Sequence, residues 1–221
     1  MKPRQMLLVL AVAVVIAAAA VFFFLSRSQT ELPQAGAAAT AEPAIQSSDL
    51  MQAGPLGDMA LGDPKAPNVV IEYASMTCSH CRRFNAEVFK PFKAKYIDTG
   101  KVYYIFRDFP LDPVATSAIM LAHCAPPERF FAIVDLLFEK QGQWAFVDDP
   151  KAALFSLTKQ VGFTQESFDA CLANQKILAG VNAVRERGAK FGVSATPTFF
   201  FNGKKEDGEQ TLANIDKLLA G

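Results

Sequence analysis

Cys78 and Cys81 form a Cys-x-x-Cys pair with Ser79 and His80 between them. Such a pair can be a redox dithiol, half of a zinc site, a haem attachment point or a structural pair. Haem attachment requires a histidine directly after the second cysteine, and Arg82 stands there instead. A zinc site usually has four ligands, and the sequence contains neither a second Cys-x-x-Cys nor a His-x-x-x-His.

The position of the pair in the chain favours redox chemistry. Residues Asn68–Ala74 are β-branched and apolar, which predicts a buried strand, and residues 81–97 carry apolar side chains at a helical spacing. Cys78 therefore stands where a helix begins, beside unpaired N–H groups and the positive end of the helix dipole. A thiolate is favoured there, which makes the disulfide a strong oxidant. We expect Cys78 to be the exposed sulfur that a substrate thiolate attacks, and Cys81 to be its buried partner.

Two further residues are candidates for proton chemistry at the pair. The spacing of His80 forces it near the sulfur, where it could add a hydrogen-bond donor or a positive charge to the Cys78 thiolate. The alternative is an exposed histidine without contacts. Glu72 is a charged residue inside an apolar strand, and it either faces water at a strand edge or is buried under the site. If it is buried, its pKa is raised and it could relay a proton to or from Cys81.

The elements around the pair predict an α/β protein. A second strand at residues 101–107 gives the order β-α-β, which requires a parallel strand pair with a right-handed crossover. Strand signals return at residues 197–201, and Asn202-Gly203 predicts a tight hairpin turn into a short strand near Lys204. Helical patterns fill the region between the two halves and the end of the chain, at residues 115–123, 128–141, 150–161, 164–174 and 176–191 and from Glu209 onward.

The amino end predicts export. Lys2 and Arg4 precede an uncharged, mainly apolar run, and about 20 apolar residues can span a bilayer as a helix. Residues 1–26 are thus either a cleaved signal peptide or an anchor that holds the chain in the inner membrane through residues 6–25. In both cases the body of the protein is exported, which predicts a periplasmic location where cysteines can form disulfides. The composition of residues 27–60 predicts a flexible linker.

The charged residues suggest no charged partner. Lys and Arg together number 22, and Asp and Glu together also number 22. Without a net charge there is no field that would attract nucleic acid, so we expect no nucleic-acid partner. We expect the protein to be a monomer.

Several of these features together resemble the DsbA-like thiol oxidases of alphaproteobacterial type. They are the stretch from Glu72 to Cys81, the Phe-Arg-Asp-Phe-Pro-Leu sequence at residues 106–111, a long helical insertion, and Thr196-Pro197 before the final strands. The resemblance extends over nearly everything after residue 61. It implies a thioredoxin fold with a large helical insertion: residues 61–111 and 191–221 form the thioredoxin-like domain, and residues 112–190 form the insertion.

The same resemblance implies roles for individual residues. Cys78 is the nucleophile and Cys81 the resolving thiol, and Thr196-Pro197 forms a cis peptide beside the disulfide whose backbone offers hydrogen bonds to a substrate. Ser79 replaces the proline that is commoner in the family, which leaves the oxidising strength open. Cys124 and Cys171 fall in the insertion, where export favours a structural disulfide; a second redox-active pair is the alternative. The resemblance implies that the Cys78–Cys81 disulfide is the redox-active group, with no separate cofactor and no metal.

Two functions from different classes follow as hypotheses. The leading one is an enzyme that introduces disulfides into reduced exported polypeptides and is reoxidised by a DsbB-like membrane oxidase, with isomerase or reductase activity as a variant. The competing one is a membrane-tethered copper or zinc carrier that uses the same cysteines, for instance Cys78, Cys81 and His80 with either Cys124 or Cys171.

Overall fold

The computed structural model describes residues 47–220. The predicted export segment, residues 1–26, and the first part of the predicted linker lie outside the described residues. Within the described range, no helix is both long and apolar enough to cross a membrane.

A five-stranded sheet carries the β-α-β unit that the sequence predicts. The strands are β1 (Met59–Leu61), β2 (Asn68–Ala74), β3 (Val102–Asp108), β4 (Thr198–Phe201) and β5 (Lys204–Asp207). Their order across the sheet is β1-β3-β2-β4-β5. Strand β2 pairs in parallel with β3 and antiparallel with β4, so it lies at the centre of the sheet. The loop that carries the cysteine pair therefore leaves from the middle strand.

The carboxyl-terminal hairpin forms at the predicted turn. Phe201 pairs with Lys204, which leaves Asn202 and Gly203 as a two-residue loop. Their φ angles are +50° and +88°, the positive values that a type I′ turn requires at both positions. Every residue of β4 is buried, as its run of three phenylalanines suggests. The two ends of the thioredoxin-like domain thus meet at β2 and β4.

The helix that follows β2 changes its winding along its length. It begins as an α-helix at Ser79–Phe84, which we call the cysteine helix, and continues as a π-helix at Asn85–Phe89. An α-helical turn at Lys90–Phe92 precedes a second π-helical segment at Lys93–Ile97. Pro91, where the sequence predicts a kink, lies in that α-helical turn between the two π-helical segments.

Only helices, turns and loops connect β3 to β4, as predicted for the insertion. The remaining α-helices of the described range are Ser47–Met51, Pro113–Cys124, Phe130–Glu139, Gln141–Trp144, Pro150–Thr158, Gln165–Leu172, Gln175–Lys190 and Leu212–Ala220, with 3-10 turns at Pro127–Arg129 and Lys159–Val161. The predicted helix at residues 128–141 is broken because Lys140 leaves helical geometry, with φ −97° and ψ +11°.

The two faces of the sheet have separate hydrophobic cores. Alternation along β2 sends Val70, Glu72 and Ala74 to one face and Ile71 and Tyr73 to the other. The first face belongs to the larger core, which most of the buried insertion side chains share. The second face packs a smaller core around Tyr73. Glu72 therefore faces the core of the insertion.

Residues 47–60 belong to the folded domain, so the prediction of a flexible linker is wrong for this part of the 27–60 segment. The Arg107 guanidinium, only 3% exposed, donates hydrogen bonds to the carbonyl oxygens of Leu50 at 2.7 Å and Gln52 at 3.3 Å. It also forms an ion pair with Asp58 at 3.0 Å, and β1 pairs antiparallel with β3. A polar segment that cannot build its own core is ordered here by contacts with the Arg107 guanidinium near the carboxyl end of β3.

A disulfide joins two helices of the insertion. Cys124 ends the helix Pro113–Cys124 and is bonded to Cys171 of the helix Gln165–Leu172, with an S–S distance of 2.07 Å. The two cysteines are 47 residues apart in the chain. Closing a loop of this length restricts the unfolded chain, which stabilises the fold by about 4 kcal/mol on the chain-entropy model and often by less.

We predict that replacing Cys124 and Cys171 together with alanine lowers the free energy of unfolding by about 2–4 kcal/mol, because the unfolded chain regains the freedom of the closed loop. Urea denaturation of the oxidised proteins measures this difference. Adding a reductant to both proteins is the matched control, because it opens Cys78–Cys81 in each of them and should remove most of the difference between their midpoints. Equal midpoints for the variant and the oxidised wild type would show that the disulfide contributes no stability.

Candidate active site

Cys78 caps the amino end of the cysteine helix. Its backbone is extended, with φ −74° and ψ +121°, and its Sγ accepts a hydrogen bond from the Cys81 backbone N–H at 3.4 Å. Both cysteines are free thiols in the structure. Cys78 is 8% exposed and Cys81 is completely buried. Cys78 is the more exposed of the two cysteines, as expected. It is nevertheless much less exposed than the sequence suggests, because the insertion and the segment before β4 contact it.

The segment before β4 forms the other wall beside the sulfur. The Thr196–Pro197 peptide is cis, as the family resemblance implies. The Cys78 thiol donates a hydrogen bond to the Thr196 carbonyl oxygen at 3.2 Å. The Thr196 hydroxyl is buried and has no hydrogen-bond partner among the described residues. It is thus available to donate to Cys78 Sγ once the thiol loses its proton.

Two residues of the insertion hold the loop between β2 and the cysteine helix, and the sequence reading missed both. The Gln141 side-chain amide donates to the carbonyl oxygens of Met76 at 2.7 Å and Cys78 at 3.0 Å. Asp112 accepts a hydrogen bond from the Thr77 hydroxyl at 2.5 Å. An Asp before Pro is a recognisable helix cap, but nothing local in the sequence indicates that Gln141 is 2% exposed and faces the cysteines.

The surroundings of Cys78 stabilise its thiolate. Hydrogen bonding with the Cys81 thiol is the largest cause; burial opposes it, and the Thr196 hydroxyl and the backbone N–H groups of Cys81 and His80 add to it. Together they lower the pKa of Cys78 from 9.0 to about 5. At neutral pH the reduced protein therefore carries a thiolate at Cys78.

Cys81 has the opposite environment. Burial raises the pKa of its thiol well above the ordinary value, and the neighbouring Cys78 and Glu72 charges raise it further. The two sulfurs of one motif thus differ strongly in acidity, one favoured as an anion and the other as a neutral thiol.

Glu72 is buried, which excludes the strand-edge interpretation of this residue. Glu72 is 2% exposed, and the Tyr104 hydroxyl donates a hydrogen bond to Glu72 Oε2 at 2.6 Å. Burial is the main cause that raises the pKa of Glu72 from 4.5 to about 8, and the hydrogen bond from Tyr104 partly opposes it. The carboxyl is therefore mostly protonated at neutral pH.

A small cavity of about 10 Å³ adjoins Glu72 and Tyr104 and extends to Asn85 and Asp135. This volume is close to the minimum that holds one water molecule. Asn85 and Asp135, joined by a hydrogen bond of 2.8 Å, also line a surface groove next to Arg82. The cavity beside the buried carboxyl and the surface groove thus share Asn85, Asp135 and Phe138 as lining residues.

His80 is not placed as the sequence predicts. Its Nδ1 lies 3.1 Å from Glu209 Oε2, and its side chain is 60% exposed. Arg83 donates to the same Glu209 oxygen at 3.0 Å. The predicted contact between the imidazole and Cys78 Sγ is replaced by this hydrogen bond to Glu209, because the loop after β5 brings a carboxylate to the outer side of the cysteine helix.

The copper or zinc set considered from the sequence loses both candidates for its fourth ligand. Cys124 and Cys171 are bonded to each other, so neither thiol is free to join Cys78, Cys81 and His80 as a metal ligand. Across residues 47–220 no group of three or more His, Cys, Asp or Glu side chains has a metal-binding arrangement.

Comparisons with known proteins agree with this site. A family model described as thioredoxin matches residues 56–220. A Rickettsia prowazekii protein named as a protein-disulfide oxidoreductase is 32% identical over 167 residues, which are 73% of this chain and 60% of the relative. The chain thus spans about 60% of the length of that relative.

Solved structures show the same likeness. The crystal structure of Wolbachia pipientis alpha-DsbA1 has a TM-score of 0.71 and 35% identity, and it covers 79% of this chain and 94% of its own. BdbD from Bacillus subtilis has a TM-score of 0.63 and 24% identity over 74% of this chain and 94% of its own, a likeness of fold alone. Fold and site define a thioredoxin-fold protein with a buried dithiol. The chain belongs to the family of DsbA-like thiol:disulfide oxidoreductases.

We predict that Thr196→Val raises the pKa of Cys78 above its value of about 5, because valine keeps the shape but removes the hydroxyl that donates to the thiolate. The ultraviolet absorbance of the thiolate, followed against pH in the reduced protein, measures this pKa. Cys78→Ser is the control, and it should remove the low-pH transition altogether. An unchanged midpoint in Thr196→Val would mean that the hydroxyl does not contact the thiolate.

Proposed function

We propose that this protein is a thiol oxidase that transfers the Cys78–Cys81 disulfide to reduced exported polypeptides. The observation that carries the proposal is the difference in acidity within the pair: the pKa of Cys78 is lowered to about 5 and that of Cys81 is raised. A stable Cys78 thiolate favours the reduced form of the enzyme, so the oxidised form gives up its disulfide readily.

The reaction proceeds by two thiol–disulfide exchanges. A substrate thiolate attacks Cys78 Sγ, the bond between Cys78 and Cys81 breaks, and Cys81 leaves with the electron pair. The second substrate thiolate then attacks the substrate sulfur of the mixed disulfide, and Cys78 leaves as a thiolate. The substrate loses two electrons and gains a disulfide, and the enzyme gains the two electrons as a dithiol. The low pKa of Cys78 makes it a good leaving group in the second exchange.

Glu72 supplies the proton that the first exchange needs. Cys81 leaves into a buried environment that disfavours its thiolate, so the step is easier if the sulfur is protonated as it departs. Glu72 is close enough to Cys81 for its charge to raise the pKa of that thiol, and its own pKa of about 8 leaves it protonated at neutral pH. Proton exchange with solvent runs through the cavity that ends at Asn85 and Asp135.

The substrate polypeptide docks beside the Thr196–Pro197 segment. The family resemblance assigns substrate hydrogen bonds to the backbone of this segment, and its carbonyl oxygen at Thr196 already accepts from Cys78. Leu111 is 50% exposed, and its backbone N–H donates to Ser75 Oγ in the cysteine loop at 3.3 Å. An exposed apolar side chain next to the loop suits an unfolded client, whose own apolar residues are not yet buried.

The cellular setting follows from the same chemistry. The Cys124–Cys171 disulfide suits an oxidising compartment, which supports export to the periplasm. The amino-terminal segment provides the export signal or an inner-membrane anchor at residues 6–25. A DsbB-like membrane oxidase then restores the Cys78–Cys81 disulfide after each turnover. The protein acts as a monomer without a separate cofactor and has no nucleic-acid partner.

We predict that the oxidised protein converts a reduced, unfolded model protein to its disulfide form and that Cys78→Ser abolishes this activity, because no mixed disulfide can form at serine. Recovery of the model protein's enzymatic activity, with free thiols counted in parallel, measures the conversion. The double variant Cys124→Ala, Cys171→Ala is the matched control and should keep the activity. A wild type that fails to oxidise the model protein and instead binds copper or zinc stoichiometrically, with binding lost in Cys78→Ser, would support the carrier function.

We predict that Glu72→Gln slows reaction of the oxidised protein with a substrate thiol by at least about tenfold at neutral pH, because general acid catalysis typically contributes about 10²–10⁴-fold. Stopped-flow rates between pH 6 and 9 should lose the inflection that titration of the buried Glu72 carboxyl causes. Tyr104→Phe is the control: it keeps the carboxyl but removes a hydrogen bond that lowers its pKa, so the inflection should move to higher pH. Identical profiles in all three proteins would exclude Glu72 as the proton donor.

A further inference from the structure

The Glu209 carboxylate connects the loop after β5 to the cysteine helix. Its Oε2 accepts one hydrogen bond from His80 Nδ1 at 3.1 Å and another from Arg83 Nη1 at 3.0 Å. The Glu209 side chain is 22% exposed, whereas those of His80 and Arg83 are 60% and 48% exposed. The carboxylate is therefore the most buried member of the group, and its hydrogen bond orients the exposed imidazole.

The same loop also holds the segment that contains the cis peptide. The Gly208 backbone N–H donates to the Pro197 carbonyl oxygen at 2.9 Å, and the Thr198 hydroxyl donates to Asp207 at 3.0 Å. Residues 207–209 thus contact both walls around Cys78 Sγ, the Thr196–Thr198 segment on one side and the cysteine helix on the other. The Glu209 carboxylate contacts only the helix side of this arrangement, whereas Gly208 and Asp207 contact the other side.

We propose that Glu209 is a positioning residue that holds the His80 imidazole away from Cys78 Sγ and so limits the oxidising strength of the Cys78–Cys81 pair. This inference rests on the proposed redox function of that pair. His80 is two residues from Cys78 at the start of the helix, so an imidazole released from Glu209 can turn toward the sulfur. The charged groups around it are Glu209 and Arg83, while Cys81, Thr196 and Glu72 surround the sulfur itself.

Two effects of removing the carboxylate act in the same direction. A freed imidazole can donate a hydrogen bond or a positive charge to the thiolate, which stabilises it. Loss of the negative charge on the outer side of the helix removes a repulsion with the thiolate. Both favour the reduced dithiol, so the disulfide of a Glu209 variant is a stronger oxidant than that of the wild type.

A double-mutant cycle tests this coupling. The equilibrium constant between the Cys78–Cys81 pair and glutathione is measured for the wild type, Glu209→Gln, His80→Ala and the double variant. We expect Glu209→Gln alone to shift the equilibrium toward the dithiol by about 3- to 10-fold, where tenfold corresponds to about 30 mV. In the His80→Ala background the same substitution should produce a clearly smaller shift. Equal shifts in both backgrounds, or no shift in either, would overturn the proposal.

The chain offers a matched control at Asp216. This carboxylate also accepts from two side chains of the segment after the cysteine helix, Lys95 at 2.8 Å and Tyr96 at 2.7 Å, but it has no contact with His80. Asp216→Asn should leave the glutathione equilibrium unchanged. A shift as large as that of Glu209→Gln would mean that loss of any surface carboxylate changes the potential, which also contradicts the proposal.

Two further measurements keep the outcomes distinct. Glu209→Asp keeps the charge and shortens the reach to His80, so it should shift the equilibrium in the same direction by less, and it serves if Glu209→Gln does not fold. The glutathione equilibrium does not depend on oxidase activity toward polypeptides. If the protein fails to oxidise a model client but shows the His80-dependent shift, the proposed oxidase function is contradicted and the positioning role of Glu209 is supported. If the protein is an active oxidase without that shift, only the positioning role of Glu209 is contradicted.

Discussion

The Cys81 backbone N–H points at Cys78 Sγ from 3.4 Å because Cys78 caps the first turn of a helix that follows the central strand directly. At this place the backbone itself supplies unpaired donors and a positive dipole, so an anion is compensated without a charged side chain. The remaining features either keep this turn in position or control how a proton reaches the second sulfur. If the helix started one residue earlier or later, the Cys78 side chain would leave the cap and lose the backbone donors that help to lower its pKa.

Support for this turn comes from parts of the chain that are distant from it. Gln141 binds the carbonyl oxygens of the cysteine loop, Asp112 binds Thr77, and Thr196 forms the opposite wall. The disulfide between Cys124 and Cys171 ties together helices of the insertion that contains two of these residues. The insertion therefore also holds the loop between β2 and the cysteine helix, since Gln141 bonds to its backbone and Asp112 to one of its side chains.

The face of the sheet decides the chemistry of Glu72. Alternation along β2 turns this carboxyl toward the insertion, where Tyr104 is its hydrogen-bond partner and apolar side chains exclude most water. Burial then raises the pKa values of both Glu72 and Cys81, while Cys78 on the helix cap has its pKa lowered. One architecture thus favours the anion at one sulfur and a proton near the other.

Local rules were enough for much of this protein. The β-branched, apolar strand Asn68–Ala74, the Asn202-Gly203 turn and the start of a helix at the Cys-x-x-Cys pair were predictable because each depends on neighbours along the chain. Only the tertiary structure decided that Glu72 is buried, that residues 47–60 pack on the domain, and that Gln141 faces the cysteines. The tertiary structure also places the His80 imidazole against Glu209, 129 residues away in sequence, and not against Cys78 Sγ. These contacts join side chains that no local pattern relates, so their geometry exists only once the sheet and the insertion have assembled.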